Sequence, residues 1–380
     1  DIEEVNNQLV PTVGTCGVMG TASTMAITTE ALGLMVPNSA CAPAVSADRK
    51  RIAESTGKTA VKIAMENLKP SDYLSEKNFL NALIVLSSIG GSTNGLVHLT
   101  AMAGRLGITI DLIKFDEITK NLPMIVDLKP SGTGYMEDLY KAGGSQRIFY
   151  ELKDFLYLDA KSVNGTTLGE EIKNSAKWKQ NIITDKSNPV FNAGSIAVLK
   201  GTLAPNSAII KQSAATESLL IHEGRAVVFE GLEDLANRID RDDLDVAKDD
   251  VLVLKSIGPK GGPGMPEAGL IPIPKKLAKQ GVKDMVRISD GRMSGTASGT
   301  IILHVTPESH ENGPLAIVEN GDLIKLDVPK RKIDLIISEE EITERLLKRK
   351  ELSIRRRGYN KIYMEHVTQA DRGVDFDFLI

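Results

Sequence analysis

The chain has 380 residues, 42% hydrophobic and 25% charged, which fits a globular protein of two or three domains and excludes a disordered or fibrous one. A net charge of −4 leaves no global basic field for nucleic acid. Two cysteines, Cys16 and Cys41, are too few to staple such a chain with disulfides or, alone, to hold a structural zinc or an iron–sulfur cluster. No apolar run approaches the roughly 18 residues of a membrane span, and the N-terminus has no signal-peptide pattern, so a cytoplasmic protein is expected. The sequence opens at Asp1 without an initiator Met, so residue 1 is not expected to begin the gene product, and a lost organelle leader stays open.

In chain order, the first half reads as mostly helical. Residues 21–35, 49–68, 95–106 and 111–118 carry apolar residues at helical spacing, and residues 136–152 form further short helices. The apolar run at 79–88 ends on GGSTN (90–94), a strong breaker. The second half reads as short strands separated by Gly, Pro, Asn and Asp: 193–199, 208–211, 226–229, 250–254, 285–289, 300–305, 315–318 and 322–326. Such spacing predicts a barrel or sandwich with inserted helices. The expected fold class is α/β, with a helix-rich, incomplete α/β domain over 1–185 and a β-barrel-like domain over 186–380. Residues 339–357 read as a charged helix with a solvated face, and no aromatic residues interleave to suggest nucleic-acid binding.

Four Gly-rich loops combine tight turns with polar groups. GTCGVMG (14–20) places Cys16 just before a predicted helix, where helix amides favour a thiolate that is a metal ligand or a nucleophile; a small buried thiol is the plainer alternative. GGSTN offers Ser92, Thr93 and free N–H groups to an anionic substrate group, or simply caps the helix that carries His98, a core histidine. GPKGGPGMPE (258–267) packs four glycines and three prolines into ten residues and ends on Glu267, an oxygen ligand suited to Mg²⁺ or the end of a surface turn. SDGRMSGTASG (289–299) gathers Asp290, Arg292, Ser294 and Thr296 in a corner where a nearby cation would make the serine a base or nucleophile; a structural turn is the alternative. By themselves these loops indicate an anion or metal site and name no reaction.

Taken in order, GTCGVMGTASTMA (14–26), EALGLMVP (30–37), GGSTNGLVHL (90–99), DLKPSGTGYMEDLYKAGG (127–144), AVLKGTLAP (197–205), GPKGGPGMPE and SDGRMSGT resemble the blocks of the dihydroxyacid and sugar-acid dehydratase family across nearly the whole chain. The resemblance implies a hydro-lyase that converts a 2,3-dihydroxy acid to a 2-keto-3-deoxy acid. It implies an iron–sulfur cluster, 2Fe–2S before 4Fe–4S, and Mg²⁺ as cofactors. Cys16 resembles a cluster ligand, Glu267 a Mg²⁺ ligand and Ser294 the alkoxide base; Ser92, Thr93, Arg292 and Thr296 are the expected substrate-binding residues. Thr296, SAAT (213–216) and DFDFL (375–379) resemble pentonate dehydratases of the arabinonate and xylonate type. A branched-chain dihydroxyacid dehydratase and a short non-catalytic relative that binds a partner are the alternatives. Family members begin well upstream of Asp1, and the remaining cluster cysteines, a Mg²⁺-binding Asp and a carbamylated lysine belong to that part, so this chain alone is expected to lack ligands. Cys41 matches no ligand position and reads as structural. The partners expected are a small sugar acid and further copies of the chain, as a homodimer or homotetramer, with neither nucleic acid nor membrane.

Overall fold

The computed structural model describes residues 2–8, 13–175, 178–349 and 357–380. The chain divides into two compact units, one made of Asp1–Gly91 with Leu122–Asn192, the other of Ser92–Asn121 with Ala193–Ile380.

The first unit is helical. Its centre is the pairing of helices Thr21–Ala31 and Glu76–Ser88, which bury Ile27, Ala31, Ile84 and Val85 against Ile148, Phe149 and Leu152. The second of these helices starts where its sequence dictates: the Asn78 side chain accepts the Ser75 N–H at 3.0 Å, a capping arrangement that satisfies an orphan donor. Asn78 also donates to the carbonyls of Leu32 and Lys161, tying three segments together. Buried Glu30 accepts from the amides of Asn38 and Ala40 and from Ser145 and Gln146, so the turn that carries Cys41 is fixed to helix Gly144–Glu151. Burial nevertheless holds the Glu30 carboxyl above its ordinary range.

The second unit is built on eight strands, β1 (Ala197–Leu199), β2 (Ser207–Ile210), β3 (Ile221–Phe229), β4 (Val251–Leu254), β5 (Arg287–Ser289), β6 (Ile301–Thr306), β7 (Leu323–Asp327) and β8 (Lys332–Leu335). They form one sheet in the order β1-β2-β6-β5-β4-β3-β7-β8. A bridge between Lys200 and Lys332 joins the two outer strands, so the sheet is a nearly closed barrel. The expected α/β class, with a helical N-terminal part and a barrel-like C-terminal part, is therefore what forms.

Period-two alternation sorts the side chains. Ala226, Val228, Val251, Val253, Ile288 and Ile302 share one cluster, while Val227, Phe229, Leu252 and Leu254 pack with Leu235, Ile239 and Leu277 in another. Both faces of β4 are thus buried, which is why its sequence is an unbroken VLVL. Each buried Val, Leu, Ile and Phe side chain among them contributes about 1.5–3 kcal/mol.

Two details differ from the sequence expectation. Residues 315–318 are not a strand: Pro314 opens a short 3₁₀ turn, Pro314–Ile317, because its fixed φ and missing N–H suit a helical first position better than a ladder. β8 was not anticipated, since KIDL is short and half charged. The charged helix spans Glu339–Lys348, and residues 350–356 of the expected 339–357 helix lie outside the described residues. Among the described residues no helix is long and apolar enough to cross a membrane.

Candidate functional site

Strands β4, β5 and β6 run parallel, in the register Leu254 with Ser289 and Ile288 with Ile302. The loops that follow them, 255–267, 290–299 and 307–313, therefore leave the same end of the barrel. Carboxyl ends of parallel strands are where loop-built sites form in α/β folds. Here they carry Glu267, Ser294 and Glu308 respectively.

The loops pack closely on side chains: a Cβ at Gly291 would lie 2.4 Å from Ile257 Cδ1, and one at Gly258 would lie 2.6 Å from Glu308 Oε2, so a larger residue at either position would have to displace that side chain. The Asp290 carboxylate, fully buried, accepts from the amides of Ile257 at 3.0 Å and Ser309 at 2.9 Å and so joins all three loops. Arg292 donates through Nε to the Met265 carbonyl at 2.5 Å, and its own carbonyl accepts the Gly269 N–H. The far end of the Ser294 loop is fixed by Thr300, whose N–H and hydroxyl bond the Asp284 carboxylate, and by the SAAT segment, where Thr216 bonds the same carboxylate and the Ala214 carbonyl accepts the Gly299 N–H.

Helix Asn94–Gly104 belongs to this unit and brings its first residue to the loops. Asn94, fully buried, donates from Nδ2 to Glu267 Oε1 at 2.6 Å and to the Met293 carbonyl at 2.9 Å. One amide thus links the exposed Glu267 to the residue before Ser294. Ser294 is half-buried, and its Oγ lies 2.9 Å from the Thr296 hydroxyl and accepts the Thr296 N–H at 3.3 Å. The Thr296 N–H, and its hydroxyl where that is the donor of the pair, are placed to favour negative charge on the Ser294 oxygen.

His98 and His304 approach the same corner. Burial, with the positive Arg292, lowers the His98 pKa against a smaller opposing pull from Glu267. Burial, then Arg292 and His98, push His304 down to about 3. Buried imidazoles beside a guanidinium stay neutral at pH 7.

Of the residues singled out in the sequence, Glu267, Arg292, Ser294 and Thr296 come together in this corner. Ser92 and Thr93 are buried; the Ser92 hydroxyl accepts the Asn94 N–H at 3.2 Å, while Thr93, the residue at the cap position of the helix, makes no side-chain capping bond. Cys16 lies in the first unit, exposed, in the turn ahead of a helix that begins only at Thr21, so it does not sit in that helix's first turn. It borders a cavity of about 740 Å³ lined also by Gly17, Ser39, Cys41, Arg49 and Tyr140. Cys41 is buried, and burial with the nearby Glu30 pushes its thiol up to about 12, which makes it inert. Among the described residues no three His, Cys, Asp or Glu side chains converge to hold a metal ion. Cys16 and Glu267 thus fit a cluster and a hard cation in donor chemistry, each as one member of a ligand set. Asn94, Glu308 and His304 were not singled out from sequence. The signal for Asn94 was its place directly after the GGST turn, and for Glu308 the HVTPE run that closes β6.

The family model for the dihydroxy-acid/6-phosphogluconate dehydratase N-terminal region matches residues 1–171, and that for the C-terminal region matches residues 181–374. A dehydratase of Rhizobium meliloti (strain 1021) is 47% identical over 97% of this chain and 64% of its own length. The L-arabinonate dehydratase of Rhizobium leguminosarum bv. trifolii (strain WSM2304) is 44% identical over 96% of this chain and 64% of its own length. The dihydroxy-acid dehydratase of Carboxydothermus hydrogenoformans is 39% identical over 99% of this chain and 68% of its own length. The chain thus spans roughly two thirds of the length of these relatives. Matched along both regions and to relatives of this identity, the chain belongs to the dihydroxy-acid/6-phosphogluconate dehydratase family.

Proposed function

We propose that the whole protein is a hydro-lyase that removes water from a pentonate-type sugar acid to give a 2-keto-3-deoxy acid. The observation that carries this reading is the Asn94 side chain, which holds Glu267 and the Ser294 loop in one corner. The relatives named for L-arabinonate support the substrate class.

In this reading Glu267 is a ligand of Mg²⁺ and Cys16 a ligand of an iron–sulfur cluster. When bound, these centres supply Lewis acidity, which acidifies the C2 hydrogen and assists departure of the C3 hydroxyl. Ser294, as alkoxide, takes the C2 proton, and the electron pair of that C–H bond forms the C2–C3 double bond as the C3–O bond breaks. Hydroxide leaves and takes up the proton now on the Ser294 hydroxyl to depart as water, which restores the alkoxide, and the enol tautomerises to the keto acid. The Thr296 N–H and hydroxyl stabilise the alkoxide and orient it, a role that needs no histidine partner. Arg292 keeps the corner electropositive for a carboxylate substrate.

The test is keto-acid formation from L-arabinonate, xylonate and dihydroxyisovalerate by the complete, anaerobically purified protein. Faster turnover of a pentonate is expected. Preferred turnover of dihydroxyisovalerate would replace the reading with the branched-chain activity, and no turnover of any of the three would remove it.

A further inference from the structure

The loop that presents Glu267 is held in shape by side chains outside the reacting corner. Four glycines leave residues 258–267 with large backbone freedom, and Gly264 and Met265 both take positive φ, +86° and 47°. Internal closure is slight: Gly262 N–H to the Gly258 carbonyl and Met265 N–H to the Gly262 carbonyl. Arg292 holds the Met265 carbonyl, Asn94 holds the Glu267 carboxylate and Lys260 pairs with Glu311, and two further anchors lie outside the corner. Buried Glu308, after β6, accepts the N–H of Lys260 at 2.9 Å and of Gly261 at 2.9 Å. Tyr363, on helix Tyr359–His366, donates its hydroxyl to the Pro259 carbonyl at 2.8 Å and accepts the Gly264 N–H at 2.8 Å. A single phenol oxygen therefore spans the loop from one side to the other.

The two anchors are themselves coupled. Gln369, just beyond the Tyr363 helix, donates to Glu308 Oε1 at 2.7 Å and accepts the Glu308 N–H at 2.9 Å. Tyr363 is seated edge-on against Phe376, with ring centroids 6.0 Å apart. The Tyr363 helix, Gln369 and Glu308 form one frame around the loop, and Glu267 lies two positions after Met265, the last residue whose carbonyl the corner holds through Arg292.

We infer that Tyr363 and Glu308 are positioning residues for Glu267, fixing the Gly258–Glu267 backbone so that the carboxylate meets a divalent cation already in place. This rests on the proposed role of Glu267 as a cation ligand. Binding of Mn²⁺, followed by electron paramagnetic resonance on the complete protein, tests both in one titration with wild type, Tyr363→Phe and Glu267→Gln. Removal of one oxygen that makes two hydrogen bonds is expected to weaken Mn²⁺ binding about three- to tenfold, and Glu267→Gln to weaken it more. Hydrogen exchange at the Lys260 and Gly261 amides, which bond Glu308 and not Tyr363, is expected to quicken in Tyr363→Phe. A tyrosine that only stabilises the fold would lower the melting temperature and leave Mn²⁺ affinity and these two amides unchanged. That result, with Glu267→Gln impaired, overturns the inference. Unchanged Mn²⁺ binding in Glu267→Gln overturns the cation reading, and the inference with it.

Discussion

Asn94 and Glu267 stand 173 residues apart in the chain and 2.6 Å apart in the fold, the amide of one donating to the carboxylate of the other. The bond orients the carboxylate while leaving it exposed, which is what a ligand to a metal or substrate requires. Outer partners of this kind typically account for about 10- to 100-fold in metal affinity or activity. Asn94→Ala is expected to lower kcat/KM for the sugar acid by that much, with an unchanged far-ultraviolet circular dichroism spectrum. Full activity in the folded variant would separate Asn94 from the site.

Ser294 and Thr296 make a second pair. Ser294→Ala removes the proposed base and is expected to abolish turnover. Thr296→Val keeps the backbone N–H and deletes only the hydroxyl. A hydrogen bond to a charged group is worth about 1.5–3 kcal/mol, or roughly 10- to 100-fold in rate. Steady-state kinetics on the pentonate should show that loss in kcat. A change confined to KM would make Thr296 a substrate contact without influence on the serine.

The two loops and the helix that make this corner were visible in the sequence to different degrees. Glu267, Ser294 and Thr296 stand out because Gly- and Pro-rich turns interrupt strand-like runs, and turn chemistry is local. Their meeting is not local. It follows from β4 and β5 being parallel neighbours, a pairing that no single segment encodes. Helix Asn94–Gly104 reads as one more helix of the N-terminal half, yet it groups with the barrel unit, because Asn94 bonds Glu267 and Met293 and Gly104 packs on Ile380. Tyr363 had no signature, and Glu308 only the run that closes β6: both act through hydrogen bonds to the backbone of a distant loop, and any loop can supply those groups.

The two cysteines should separate cleanly. Cys16 is exposed beside a cavity, and Cys41 is buried with its thiol pushed up to about 12. Cys16→Ser in the complete protein is expected to remove the visible absorption of an iron–sulfur cluster. Cys41→Ala should leave that absorption in place and cost stability through a small cavity. Retention of the full spectrum in Cys16→Ser would end its assignment as a ligand.

Lys211 gives a prediction that needs no cofactor. It follows β2, is 2% exposed, and its Nζ has no hydrogen-bond partner among the described residues. Burial alone pushes its ammonium down to about 7, against an ordinary value of 10.5. Between these two pH values the unfolded chain binds a proton that the folded chain has lost, so stability rises as pH climbs from about 7 to about 10.5. Below about 7 both states are charged, and the full cost of burying the charge, on the order of a few kcal/mol, is present. Lys211→Met fills the same space without an ionisable group. Its unfolding midpoint in urea should exceed that of the parent at neutral pH, and the difference should shrink steadily toward pH 10. A constant difference across this range, or none at pH 7, would mean that the buried amine is paired or solvated in the folded protein.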